Sequence, residues 1–271
     1  MVKTILITGS TDGIGKRTAE ILANMGHKVI IHGRNKNKCI TTVEEIKEAT
    51  GNSLIEYLVA DLSSFTSVKK SVGEFINKNR KLDVLINNAG VYKKEKSFTE
   101  DGYEETFAVN HLSVFILTGM LLPLIKNGSP ARIINVSSMA HERAKFNIED
   151  INFTNRYNDY IAYANSKLAN ILFTNYLAAK LPTNEITVNS LHPGVITTKL
   201  LKEGFGISGS SLDEGAATSV YLATSEDVKN ITGKYFVKKA IANTSKSAQD
   251  IKLAAELWSL SEKITGINYP L

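Results

Sequence analysis

The chain contains one cysteine, Cys39, in 271 residues, so no intrachain disulfide can form and a reducing compartment suits it. It shows no run approaching the roughly 18 consecutive apolar residues that would cross a bilayer. A charged leader with a cleavage site is missing too: Val2-Lys3-Thr4-Ile5-Leu6-Ile7-Thr8 reads at once as a core strand. No like-charge cluster is dense enough for a nucleic-acid patch. The thickest run, Lys93-Lys94-Glu95-Lys96, is short and broken by an acid, and the net charge of +5 is scattered. Internal repeats and low-complexity linkers are absent, which leaves no place for a domain boundary. The expectation is a single domain over residues 1–271, cytoplasmic, with no nucleic-acid partner, no membrane anchor and no metal.

Apolar residues make up 43% of the chain, enough to bury one large core. Short β-branched runs alternate with amphipathic ones. Strands are expected at Thr4–Thr8, Lys28–His32, Leu54–Ala60, Val84–Asn87, Arg132–Ser137, Thr187–His192 and Lys234–Val237. Helical periodicity covers 14–25, 38–50, 66–78, 101–126, 160–180 and 213–223. Runs such as Ile5-Leu6-Ile7 and Val84-Leu85-Ile86 are apolar without alternation, as strands covered on both faces require. The fold class that follows is α/β: a doubly wound parallel sheet with helices on both faces.

The first strand runs straight into Thr8-Gly9-Ser10-Thr11-Asp12-Gly13-Ile14-Gly15, and helix-forming residues follow. Glycines there let the backbone turn tightly and approach a pyrophosphate at the helix N-terminus. Residues Gly9, Ser10, Thr11, Asp12, Gly13, Ile14 and Gly15 are therefore candidate cofactor contacts. An NAD site commonly carries an acid at the end of the second strand. Here that strand ends His32-Gly33-Arg34-Asn35, and Arg34 is suited to the 2′-phosphate of NADP instead.

Further motifs occur in a telling order: Asp61-Leu62, Asn87-Asn88-Ala89-Gly90, Asn110, Ser138, Tyr163-x3-Lys167 and His192-Pro193-Gly194. Together with the glycine turn they resemble the short-chain dehydrogenases/reductases. Ile134-Asn135-Val136-Ser137-Ser138-Met139-Ala140-His141, Ser166-Lys167-Leu168-Ala169-Asn170 and the tail around Trp258 resemble the retinol-dehydrogenase and WW-domain-oxidoreductase branch. The resemblance implies a Rossmann-type sheet of order 3-2-1-4-5-6-7, NADP(H) as cofactor, and hydride exchange with a carbonyl or alcohol. It also implies association through helices into a homodimer or homotetramer.

Tyr163 and Lys167 lie four apart, on one face of an expected helix. An ammonium beside the phenol would lower its pKa from near 10 towards working pH, where it can exchange a proton with substrate. By resemblance, Ser138 bonds the substrate oxygen, with Ser137 its neighbour in the running, and Lys167 holds ribose. Asn110 is polar inside an apolar helix, an arrangement that needs compensation; the resemblance has it holding a water that links Lys167 to solvent. Asp61 and Leu62 would flank adenine. Asn87, Ala89 and Gly90 would line the adenosine side, and Pro193, Gly194, Ile196 and Thr198 the nicotinamide carboxamide. Each of these Asp, Asn and Gly residues is also an ordinary turn former.

His111 and His141 match no catalytic position. Lys199–Leu212, with Gly204-Phe205-Gly206, reads as a mobile flap or a disordered connector. Leu201, Phe205 and Ile207 in it hint at an apolar substrate. The apolar N-terminal anchor common in the vertebrate retinol enzymes is missing, which speaks against retinol itself as substrate. A different class of reading is a catalytically silent NADP(H)-binding regulatory or scaffold protein on the same fold.

Overall fold

The structure is a computed structural model that describes residues 1–128 and 130–271. Among these, seven parallel strands form one sheet: β1 (Thr4–Ile7), β2 (Lys28–Gly33), β3 (Ile55–Val59), β4 (Val84–Asn87), β5 (Ala131–Val136), β6 (Ile186–His192) and β7 (Tyr235–Val237). Their order is β3-β2-β1-β4-β5-β6-β7, and a two-residue strand, β8 (Ala240–Ile241), adds an antiparallel edge. Helices α1 (Gly13–Asn24), α2 (Lys36–Thr50) and α3 (Phe65–Lys78) connect the first four strands. Then come α4 (Glu105–Phe107), α5 (Ser113–Lys126), α6 (Asp159–Lys180), α7 (Lys199–Phe205), α8 (Leu212–Thr224) and α9 (Ile251–Thr265).

The unbroken apolar strands have a simple cause. Ile5 and Ile7 face a core shared with α1, α2 and α8, while Leu6 faces one shared with α3, α5, α6 and α9. All three are fully buried. Strand order reverses between β1 and β4, the place at the carboxyl edge where an open α/β sheet offers its crevice.

The seven expected strands form to within one residue at each end. Three elements were not anticipated: β8, α7 and α9. The last packs against α6, with Trp258 stacked on Phe173 at 5.9 Å, and its apolar face has meaning only against that partner. Within the flap segment, α7 is capped by Thr198 and Gly206, and Ile196 bridges Ser210.

The expectation about apolar runs also needs correction. Glu105–Lys126 is a 22-residue helical stretch with mean hydropathy 1.8 over an 18-residue window, long and apolar enough to cross a membrane. However, 89% of that window is buried inside the protein, as a core helix would be. Asn110 and His111 break the run of apolar letters, yet both are satisfied internally.

All five histidines are buried, and burial pushes each below its ordinary value. His32, His111 and His192 are pushed down to about 4. An unfolded chain binds these protons near pH 6.5, whereas the folded one refuses them until about pH 4. Stability should therefore be full above pH 6.5 and fall steadily between there and pH 4. Calorimetry at pH 7, 5.5 and 4.5 checks this: the melting temperature should drop at each step, and a flat profile to pH 5 would contradict it.

Candidate active site

At the end of β1 the chain must turn sharply and pass close to the loop after β4. Gly9 has φ of +63°, and a Cβ there would stand 2.9 Å from the Ala89 Cα. A Cβ on Gly15 would lie 2.4 Å from the Gly9 carbonyl oxygen and 2.5 Å from Asn88 Nδ2. No other residue fits at either position without moving backbone. Thr8 Oγ1 accepts from the Asn88 and Ala89 N–H groups, both at 2.9 Å, and Asn88 Nδ2 donates back to the Thr8 carbonyl at 2.8 Å. From the other side, His32 Nδ1 accepts from Gly9 N at 3.1 Å, and Ser10 Oγ accepts from His32 N at 2.9 Å. Three loops are thus tied into one rim, with bare backbone facing the cleft beyond it.

That cleft is large, about 1020 Å³, and runs from the glycine turn to α7. It is lined by Gly9, Thr11, Asp12, Gly13, Ile14 and Gly15 at one end, with Arg34, Asp61, Leu62, Ala89 and Gly90 beside them. Tyr163, Lys167, Ser138, Pro193, Gly194, Ile196 and Thr198 line the rest. Three expected site residues, the cofactor contacts Ser10 and Asn87 and the water-holding Asn110, do not line it. Ser10 is buried beneath the turn, its Oγ donating to the Ile7 carbonyl at 2.7 Å. Asn87, the last residue of β4, turns its side chain inward to Asn135 Oδ1 (2.8 Å) and Thr118. Asn88 takes the place at the cleft wall. Asn110 lies just behind the wall.

Asp61 would be raised by burial, but the Ser63 N–H and hydroxyl, at 2.9 and 2.7 Å, outweigh this. With Arg34 and His32 nearby, its carboxyl is held below the usual range. Arg34 is exposed at the cleft edge. Asp12 caps α1 and pairs with Lys38 at 3.3 Å and Lys199 at 3.1 Å, which joins the start of α7 to the glycine turn.

Deep in the cleft, α6 carries Tyr163 and Lys167 on one face, and Lys167 Nζ lies 5.4 Å from the phenol ring centroid. Lys167 Nζ donates to the Val136 carbonyl at 3.1 Å. The expected acidification of Tyr163 by this lysine is not what the structure gives. Burial pushes the phenol up to about 12, with Ser138's hydrogen bond pulling the other way, and burial pushes Lys167 down to about 8. In so dry a pocket, loss of hydration outweighs the pair attraction. Tyr163 is accordingly a neutral phenol, equipped to give a proton.

Ser138 follows β5, caps a 3₁₀ turn (Met139–Arg143) by accepting from Ala140 N at 3.1 Å, and meets Tyr163. Ser137 is buried and spends its hydroxyl on the Lys167 carbonyl at 2.7 Å. Asn110 sits in a π-helical turn (Ala108–Leu112) between α4 and α5, a distortion common at functional sites. Its side chain pairs with the Val91 backbone in both directions, at 2.8 and 3.0 Å, and donates to Ser166 Oγ at 3.0 Å. That is the compensation an Asn in an apolar helix needs. Gly90, next to this clamp, would carry a Cβ only 3.3 Å from Lys167 Nζ.

Sequence reasoning missed an aromatic cover. Phe205 of α7 packs on Tyr92 at 4.6 Å and on Tyr163 at 6.0 Å, with Tyr160 at 6.2 Å. Gly204 lets α7 come this close, since a Cβ there would be 3.1 Å from the Tyr92 ring. No local signal marks Tyr92, which sits in a loop. His32 was missed as well, although it stands next to motif residues, and Asn88 was read only as part of its loop motif.

A sequence model of the short chain dehydrogenase family matches residues 3–205. Retinol dehydrogenase 13 of Homo sapiens is 37% identical over 99% of this chain and 86% of its own length. Among solved structures, an uncharacterized protein from Mycobacterium paratuberculosis superposes with a TM-score of 0.83 at 32% identity, covering 99% of this chain and 95% of that one. The Pseudomonas aeruginosa RhlG/NADP active-site complex gives a TM-score of 0.71 at 26% identity, covering 86% and 93%.

Replacing Asn110 with Ala would leave the half-buried Val91 N–H and carbonyl without these partners and take away the donor to the buried Ser166 Oγ. A loss of about 2–4 kcal/mol in unfolding free energy is expected from chemical denaturation. A loss below about 0.5 kcal/mol would mean the clamp is not formed.

Proposed function

Since this chain belongs to the short-chain dehydrogenase family, we propose that it is an NADP(H)-dependent oxidoreductase acting on an apolar carbonyl or alcohol. The observation that carries this reading is the convergence of Tyr163, Ser138 and Lys167 in a cleft whose other end is the glycine turn. The residues suit the dinucleotide. A Cβ on Gly9 or Gly15 would fill the cradle, the glycine turn lines the cleft at the α1 N-terminus, and the volume exceeds what a small substrate needs. Gly9 to Gly15 would hold the pyrophosphate, Arg34 the 2′-phosphate, Asp61 and Leu62 the adenine, and Lys167 the nicotinamide ribose.

When bound, the reduced nicotinamide supplies the hydride. Everything else falls to the chain. The Tyr163 hydroxyl, which burial keeps protonated, holds the proton that goes to the substrate oxygen. Ser138 Oγ donates to the same oxygen and steadies developing negative charge. Lys167, charged below about pH 8, faces the resulting phenolate and favours its formation. Phe205, Tyr92 and Leu200 exclude water around Tyr163 and offer an apolar wall. The absence of an acid after β2, the exposed Arg34 and the NADP of the Pseudomonas complex favour the phosphorylated cofactor.

The test is turnover with NADPH of decanal and retinal as apolar probes and glyceraldehyde as a polar one. The apolar probes should be reduced faster. Tyr163→Phe should bind NADPH as tightly as wild type by fluorescence while losing roughly 10²–10⁴-fold in turnover. Near-normal turnover of that variant would remove Tyr163 from its role, and tight NADPH binding with no turnover of any probe would favour a regulatory protein.

Arg34→Leu tests the cofactor assignment. It should weaken NADPH binding roughly tenfold to a hundredfold, as expected for a charge-assisted contact, and leave NADH nearly unchanged. Equal or better turnover of the wild type with NADH would defeat the NADP(H) assignment.

A further inference from the structure

His141 has a place in the structure that the reaction has not yet used. It lies in the 3₁₀ turn that Ser138 caps, 1% exposed, and it does not line the cleft. Its Nδ1 stands 2.7 Å from the Ser138 carbonyl oxygen, which also accepts from the His141 N–H at 3.2 Å. Its Nε2 stands 3.2 Å from the backbone N–H of Ser245. A carbonyl only accepts and a backbone amide only donates, so the ring has one self-consistent state: proton on Nδ1, lone pair on Nε2.

The supports behind the ring are firm. Tyr235 of β7 packs edge-on to it at 5.1 Å. Ser245 opens a short 3₁₀ turn (Lys246–Gln249) whose Ala248 carbonyl is held by Asn175 of α6 at 2.9 Å. The ionisable groups around the ring are Glu142 beside it, His192 of β6 and Tyr235; burial keeps His141 below its ordinary value and hence neutral. Both supporting residues, Tyr235 and Ser245, lie beyond residue 205, where the family match ends.

We propose that His141 is a positioning residue for Ser138: held as the Nδ1–H tautomer between the Ser138 carbonyl and the Ser245 amide, it lets the C-terminal segment set where the Ser138 hydroxyl points. This rests on the reading above that the Ser138 hydroxyl bonds the substrate oxygen. A hydroxyl two bonds from its own backbone follows any rotation of that backbone, and small misplacement at a reacting centre is costly in rate.

The experiment uses the full chain with NADPH and decanal or retinal, whichever wild type reduces faster. His141→Phe keeps a ring against Tyr235 but loses both hydrogen bonds. It should lower kcat roughly tenfold to a hundredfold while NADPH affinity stays within about twofold. His141→Asn, whose amide falls near the imidazole Nδ1 and can donate to Ser138, should recover most of kcat. Placed on Ser138→Ala, His141→Phe should cost nothing further, because its effect runs through the missing hydroxyl.

Ser245→Pro carries the same test without touching the ring, since Ser245 has φ of −60° and proline removes only its N–H and hydroxyl cap. Its kcat loss, roughly threefold to tenfold, should likewise vanish on Ser138→Ala. Nitrogen-15 shifts of His141 should report the Nδ1–H tautomer. An equal loss with and without Ser138, or an Nε2–H tautomer, overturns the inference alone. Unchanged turnover in Ser138→Ala overturns the role of Ser138, and this inference with it.

Discussion

Gly9 and Ala89 approach so closely that a single added methyl would collide with backbone, and the site is laid out from that contact. It joins the loops after β1 and β4, the two strands where sheet order reverses. Thr8 and Asn88 close the contact with three short hydrogen bonds, and His32 buttresses it from β2. With those loops fixed, the α1 N-terminus points into the crevice, and Gly90 is brought against Lys167 on the far side. The distance between the two ends of the cleft is therefore a property of the sheet, not of any flexible segment.

Dryness is the second governing condition. Tyr163 and Lys167 share a pocket in which burial opposes charge on both, so the phenol is pushed up and the ammonium down. The result is a neutral tyrosine that keeps its proton, beside a lysine that stays charged only below about pH 8. The same exclusion of water keeps every histidine neutral and makes the ring tautomers of His32 and His141 structural choices, set by the Gly9 amide on His32 Nδ1 and by the contacts of both nitrogens of His141. The aromatic cover from α7 extends this condition to the cleft mouth, where Phe205 meets Tyr92 and Tyr163.

Much of the fold was legible because its signals are local. Strands buried on both faces read as unbroken apolar runs, and the first turn reads as glycine because φ there is positive. The elements that escaped are those whose stability is not local. Helix α7 has only seven residues and leans on Tyr92, β8 has two, and the face of α9 becomes apolar stripe only once α6 is beside it. Asn87 and Asn88 show the limit at single-residue scale: adjacent, identical, and sent to opposite sides by the last pleat of β4.

By itself, the sequence determined the order of elements, the glycine turn, the face shared by Tyr163 and Lys167, and the lack of an acid after β2, because each depends on residues near one another in the chain. Tertiary structure alone decided the direction of the Tyr163 shift, the partners of Asn110, the aromatic cover and the seat of His141 between Ser138 and Ser245. The reason is physical: hydration is lost, and hydrogen-bond partners are chosen, only when segments tens of residues apart are packed together.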